Sequence, residues 1–366
     1  MAKDRSNALW TKHWAVAHEQ LAEALYWQGD LDAALQHARI GEAALAKLAP
    51  DNRADEDLHW ELLLAHERVG DDLRAQGDLD GAAKAYQVWL EFSKTQQAQR
   101  SNISLWKRGT AFAYQRLGDN LQIQGRPAEA AAQYRAFRAL AEELAAADPQ
   151  NAMFRESEIF SRQRLGDALL AQDKLEEAMV EYRAYRELAT RLSEFDPSNF
   201  RWQELLTFTH QRIAEVYLHD KDYARALAEF RTYLSLSEEG RARDPANTSS
   251  VYDVANAHEK IGDALRRQGD LPAALKEYQE DLAVAEGLAA KDVSNATWQK
   301  TLATSHQRIG LTRRMLGEAA DALAAFRQCA SVRAKRTAWT PRTTWPVDVD
   351  EDCRRQITEL GGAPPP

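Results

Sequence analysis

Three His-Glu steps, His18-Glu19, His66-Glu67 and His258-Glu259, could open a zinc-hydrolase phrase, in which a second histidine follows the glutamate by three places. Ala22, Gly70 and Gly262 stand there instead. The histidines at 18, 66, 210, 258 and 306 are separated by multiples of 48 residues. Neighbouring helix axes lie roughly 8–10 Å apart, whereas zinc–nitrogen bonds are about 2.0–2.1 Å, so a ladder of this kind reads as packing histidines. The cysteines, Cys329 and Cys353, are too few for a disulfide framework or a cysteine zinc site and suit a reducing cytoplasm. Cys329 falls in a column held by Trp89, Phe137, Tyr185 and Tyr233, and so reads as a smaller packing residue. There is no Gly-x-Ser-x-Gly elbow, no Gly-Lys-Ser/Thr phosphate loop, no Cys-x-x-Cys and no Gly-x-Gly-x-x-Gly. Catalysis needs a singular constellation, and a periodic column supplies copies of one role. The expectation is a protein without catalysis, cofactor or bound metal.

The same 48-residue period positions everything else. Small residues recur at Ala22, Gly70, Gly118, Gly166, Ala214, Gly262 and Gly310, and an alanine twelve places later at Ala34, Ala82, Ala130, Ala178, Ala226, Ala274 and Ala322. Apolar positions between Trp106 and Gln124 fall at helical three-and-four spacing. Gly125 then suits a left-handed helix end, as do Gly29, Gly77, Gly269 and Gly317. Asp30, Asp78, Asp222 and Asp270 follow such ends and can cap a second helix. That helix carries Tyr86, Tyr134, Tyr182, Phe230, Tyr278 and Phe326 in one column. Asp148-Pro149-Gln150-Asn151 and its counterparts at 196–199 and 244–247 stop it and open the next unit.

On Tyr114, Leu117-Gly118, Leu121, Ala130, Tyr134 and Pro149, the sequence resembles the tetratricopeptide repeat (TPR) family in a long bacterial-type variant. The usual unit is 34 residues, and two extra helical turns on each helix would supply the difference. The resemblance implies an all-α, right-handed α-solenoid of seven antiparallel helix pairs with a C-terminal capping helix. The expected division is an extension at 1–6, repeats at 7–54, 55–102, 103–150, 151–198, 199–246, 247–294 and 295–342, a capping region at 343–360, and a disordered tail at 361–366. Val349, Cys353, Ile357 and Leu360 would form the inner side of the cap.

Solenoids of this kind bind along the wall lined by their first helices. At 100° per residue, the side opposite the packing face of the third unit gathers Phe112, Gln115, Asp119 and their neighbours. Three sets of groove candidates follow: apolar residues Phe112, Phe160 and Phe208 with Leu170, Leu218 and Trp60; amides Gln115, Gln163 and Gln211; and acids Asp119, Asp167 and Glu215. The rings either anchor a partner, as exposed apolar patches do, or pack the long helices together. The acids either select basic side chains or are satisfied by Arg116, Arg164 and Arg212, three residues before them.

Against 56 Asp+Glu stand 47 Lys+Arg, a formal charge of −9, which disfavours a nucleic-acid partner. No apolar run approaches a membrane span. The expected protein is a cytoplasmic scaffold or adaptor for a partner protein or extended peptide, monomeric or weakly associating end to end. The alternatives are a self-assembling structural protein, favoured by a first unit lacking both the glycine and the aromatic, and a regulatory module. In the latter, the basic segment with Arg333, Lys335, Arg336, Trp339, Arg342 and Trp345 would fold back into the groove.

Overall fold

A computed structural model of the chain describes residues 2–100, 103–334 and 347–364. Every regular element among them is helical: α1 (Ala2–Gln28), α2 (Leu31–Leu48), α3 (Glu56–Ala75), α4 (Leu79–Gln99), α5 (Ile103–Ile123), α6 (Pro127–Ala147), α7 (Ala152–Leu170), α8 (Leu175–Phe195), α9 (Phe200–His219), α10 (Tyr223–Arg243), α11 (Thr248–Gln268), α12 (Leu271–Lys291), α13 (Ala296–Met315), α14 (Ala319–Ala334) and α15 (Val347–Glu359), with one 3₁₀ turn at Ala49–Asp51. The chain forms two compact units, Met1–Glu181 and Tyr182–Pro366, whose boundary falls inside α8. Within each, successive helices pack side by side, the arrangement of an all-α solenoid of TPR-like helix pairs.

Local chemistry sets the helix ends. Asp78 accepts a hydrogen bond from the Gly81 amide at 2.8 Å, and Asn199 from that of Trp202 at 3.3 Å, satisfying first-turn donors that have no helical partner. The hinge inside each pair turns on a left-handed residue, a glycine at 29, 77, 125, 269 and 317. In the fourth and fifth pairs that same position is held by Asp173 and Lys221, with φ of +59° and +62°.

The core follows the small and aromatic columns. Tyr86, Tyr134, Phe230, Tyr278 and Phe326 are buried, each worth roughly 1.5–3 kcal/mol on the apolar-transfer scale. The rings of Tyr86, Tyr134, Tyr278 and Phe326 lie against Gly70, Gly118, Gly262 and Gly310 of the preceding helix, where a Cβ would collide. In the first pair Ala22 and Ala38 occupy the two columns and are both fully buried. Adjacent pairs are tied by polar residues near the end of a first helix, which reach the start of the preceding pair's second helix. Gln76 Nε2 donates to the Leu31 carbonyl at 3.1 Å, and Asn120 Nδ2 to that of Leu79 at 2.8 Å.

At the C-terminal end, Cys353 and Ile357 of α15 are buried against Phe326, Cys329 and Ala330 of α14, with Val349 and Leu360 packed beside them. Cys329 and Cys353 are joined by a disulfide. This corrects the reading of Cys329 as a packing residue alone. The partner lies 24 residues on, on the inner side of the capping helix. The Trp339 and Trp345 segment proposed to fold back falls in 335–346, outside the described residues.

Candidate functional site

The first helices carry the candidate wall, and their recurring polar groups are mostly engaged within the protein. Tyr134 Oη donates to Asp119 at 2.7 Å, and Arg164 of the next pair stands 3.4 Å from the same carboxylate. Glu215 is held by Arg212 at 3.0 Å and by Lys260 of the next pair at 3.3 Å. Burial raises its carboxyl, but the charges of Arg212 and Lys260 outweigh that, and it lies below the ordinary carboxylate range. Asp167 too is partnered. The ladder repeats elsewhere: Arg116 spans Glu67 and Asp71 at 3.0 and 3.3 Å, and Arg308 spans Glu259 and Asp263 at 2.6 and 3.0 Å. These cations reach the acids of the preceding pair. Of the three arginines assigned to acids on their own helix, Arg212 closes onto the acid three residues later, and Arg116 reaches back to Asp71.

The histidines face the second helices. His210 lies 2.6 Å from Glu229, His258 lies 2.7 Å from Glu277, and Arg162 takes the equivalent place opposite Glu181. His18 stacks on His37 and meets it through Nδ1 at 2.7 Å. His66 instead meets Glu42 of the preceding pair at 2.7 Å, and no group of three or more metal-ligating side chains converges among the described residues.

The apolar candidates divide by environment. Trp60 is half-buried, edge-on to Trp106 at 5.9 Å and covered by the Arg108 guanidinium at 5.0 Å. Phe112 is half-buried against the core around Trp89 and Trp106. Phe160 and Leu170 are half-buried in the first unit. Leu218 is buried in the core of the second unit with Phe230 and Ile261, so it presents nothing to a groove. Gln115 and Gln163 are half-buried, while Gln211 donates to Glu215 at 3.2 Å.

Phe208 stands apart. Its ring contacts Tyr233 at 6.2 Å between centroids and borders a cavity of about 670 Å³ between α9, α10, α11 and the start of α13. Gln211, Tyr252, Asn256 and Trp298 share this lining, together with Glu204 and Asp253. The opening has a readable cause: the Phe112, Phe160, Phe208 column continues as Asn256 and Thr304, so α11 lacks the ring that would fill it. Glu204 and Asp253 escaped the sequence reading because neither belongs to a recurring acidic column. The signal available was the Phe-to-Asn change beside them.

No protein-family model matches the sequence, and no curated protein does. Among solved structures, the chain is similar to BtubC (BKLC) from P. vanneervenii, with 15% identity over 74% of this chain and 96% of that one, at a TM-score of 0.54. It is also similar to a Signal Transduction ATPase with Numerous Domains protein with a tetratricopeptide repeat sensor from Pyrococcus horikoshii. That match has 12% identity and a TM-score of 0.56, over 89% of this chain and 42% of that one. At such identities the likeness concerns the fold, which is TPR-like.

Proposed function

We propose that the protein is a non-catalytic interaction scaffold that holds a partner protein or extended peptide along the wall formed by its first helices. The observation that carries this reading is the cavity beside Phe208, an open, aromatic-lined recess on the wall used by solenoids for binding. Phe112, Phe160 and Phe208 are the proposed apolar anchors, with Trp60 and Leu170 flanking them. Gln115 and Gln163 are the proposed hydrogen-bonding partners of a peptide backbone. Asp119 and Glu215 belong to the internal ladder, which leaves them little charge to offer a partner, and Asp167 is engaged too.

Selection from a displayed library of random twelve-residue peptides tests the scaffold. Peptides retained by the wild type and lost by the Phe112→Ser/Phe160→Ser/Phe208→Ser variant are expected. Equal retention by a folded variant would move the binding surface off this wall. No described helix is long and apolar enough to cross a membrane. The cytoplasmic placement expected from the cysteine count is opposed by the Cys329–Cys353 bond, since disulfides persist in oxidising compartments.

A second reading, end-to-end self-association, is favoured by α1. Trp10 is 74% exposed, whereas Trp106, Leu58, Phe154 and Trp202 in the same column are buried by neighbouring helices. Trp14 and Trp27 are exposed on the same helix. Sedimentation at two concentrations, with Trp10→Lys as control, decides it: a constant monomer mass removes the reading.

A further inference from the structure

The cavity beside Phe208 differs from the rest of the wall in its charge. Along the ladder, an arginine or lysine reaches Asp71, Asp119, Glu215, Glu259 and Asp263. Glu204 and Asp253 line the cavity, and no lysine, arginine or histidine shares that lining. Asp253 is 92% buried by its 8% exposure. Burial pushes its carboxyl up to about 7, the Glu204 charge adds to the rise, and a hydrogen bond from Tyr233 opposes it. Burial also raises Glu204, outweighing the pull of Arg201 one turn away. Arg243, beside the small recess behind the two acids, faces Glu239 at 3.8 Å.

The lining thus combines two carboxylates and the rings of Phe208, Tyr252 and Trp298. A group matching it must be cationic, rich in N–H donors, free of acceptors and flat enough to lie on an aromatic face. Guanidinium has these properties: five donors in a planar fork, no acceptor, and a permanent charge that stacks on rings. An ammonium supplies three donors on a compact, strongly hydrated centre and matches the rings less well. We propose that this cavity is the specificity pocket of the scaffold and takes the guanidinium of one arginine presented by the partner, between the Glu204 and Asp253 carboxylates and the aromatic walls. The inference rests on the scaffold reading, and it replaces the column acids with two others as the selectors of basic side chains.

The test titrates the full chain with butylguanidinium, with its neutral isostere butylurea, and with pentanoate. The readout is the indole N–H resonance of Trp298, identified by Trp298→Phe. Butylguanidinium is expected to give a saturable shift at least about tenfold tighter than butylurea, as charge-assisted hydrogen bonds require. Pentanoate should give none, and Glu204→Gln/Asp253→Asn should abolish the preference. Equal binding of butylurea, or no saturable shift with any probe, overturns the site. The comparison of probes on the wild type decides even where the double variant fails to fold. Library-selected peptides separate the two readings. An arginine at one fixed register, lost from peptides selected on the double variant, supports the inference. Selected peptides without arginine that ignore the double variant overturn it and leave the scaffold standing. A library yielding no peptide, beside a saturable butylguanidinium shift, upholds the guanidinium site and removes the peptide scaffold.

Discussion

Tyr134 lies against the backbone of Gly118 so closely that a Cβ on the glycine would stand 2.5 Å from the ring, while its hydroxyl donates to Asp119, the very next residue. The packing column and the acidic column are therefore one device. The ring needs the glycine for space, and the hydroxyl holds the ring there by donating to a carboxylate on the first helix. Gly262, Tyr278 and Asp263 repeat it, with a hydrogen bond of 2.7 Å. Where the ring is Phe230, with no hydroxyl, the small residue is Ala214 and the acid is held by Arg212 and Lys260 instead.

Gly118→Ala should therefore destabilise the first unit by about 1–2 kcal/mol, overpacking exceeding the gain in helix propensity. In a Tyr134→Phe background the loss should shrink, because the ring is free to shift. A double-mutant cycle by urea denaturation reads the difference. Equal losses in both backgrounds would show that the hydroxyl does not hold the ring.

At the hinge of the fifth pair, Lys221 adopts φ of +62°, which glycine takes without steric cost and which equivalent positions assign to glycine. Lys221→Gly should stabilise the second unit by up to about 1 kcal/mol. Gly269→Ala, at φ of +98°, should do the reverse. Thermal melts of the two variants check the opposite signs.

The disulfide between α14 and α15 closes a loop 24 residues apart in sequence. Cross-links of that span restrict the unfolded chain by about 3 kcal/mol. Cys353→Ser should then speed amide exchange in α15 by about a hundredfold, since each 1.4 kcal/mol is tenfold, and leave α3 unchanged. Unchanged exchange in α15 would mean that Ile357 and its apolar neighbours hold the cap unaided.

Asp281 is fully buried on α12, and neither carboxylate oxygen has a hydrogen-bond partner of good geometry. Burial pushes its carboxyl from an ordinary 3.8 up to about 8. A group whose folded value lies above its unfolded one supports the fold fully below the unfolded value. That support is lost as pH rises through the folded value, here across the window from 3.8 to about 8. The wild type should lose stability from pH 5 to pH 9, and Asp281→Asn should flatten part of that slope. Urea midpoints at three pH values measure it, and parallel slopes would show that Asp281 is solvated.

The glycine and aromatic columns were legible as packing, because a residue repeated at one spacing meets one environment repeatedly. The acids at 119, 167 and 215 were legible as a column, and Arg212 as a partner of Glu215, but the partners from the next pair were not. Arg116 lies three residues from Asp119 in sequence, yet it reaches Asp71, 45 residues back, because its side chain leaves the helix toward the preceding pair. Leu218 follows the same logic. Its angle on α9 suits a wall, but near the helix end α10 folds back and buries it.

What the sequence by itself determined is whatever a helix and its period dictate: the 48-residue unit, the caps, the left-handed hinges, and the pairing of small residue with ring. These depend on neighbours within a turn or within one hinge, so their spacing states them. Only the tertiary structure decided which carboxylates meet a cation, that Cys329 meets Cys353, and that a missing ring at Asn256 opens a cavity beside Glu204 and Asp253. Those depend on where side chains from different helices end, and Coulomb energy and steric fit follow distance in space.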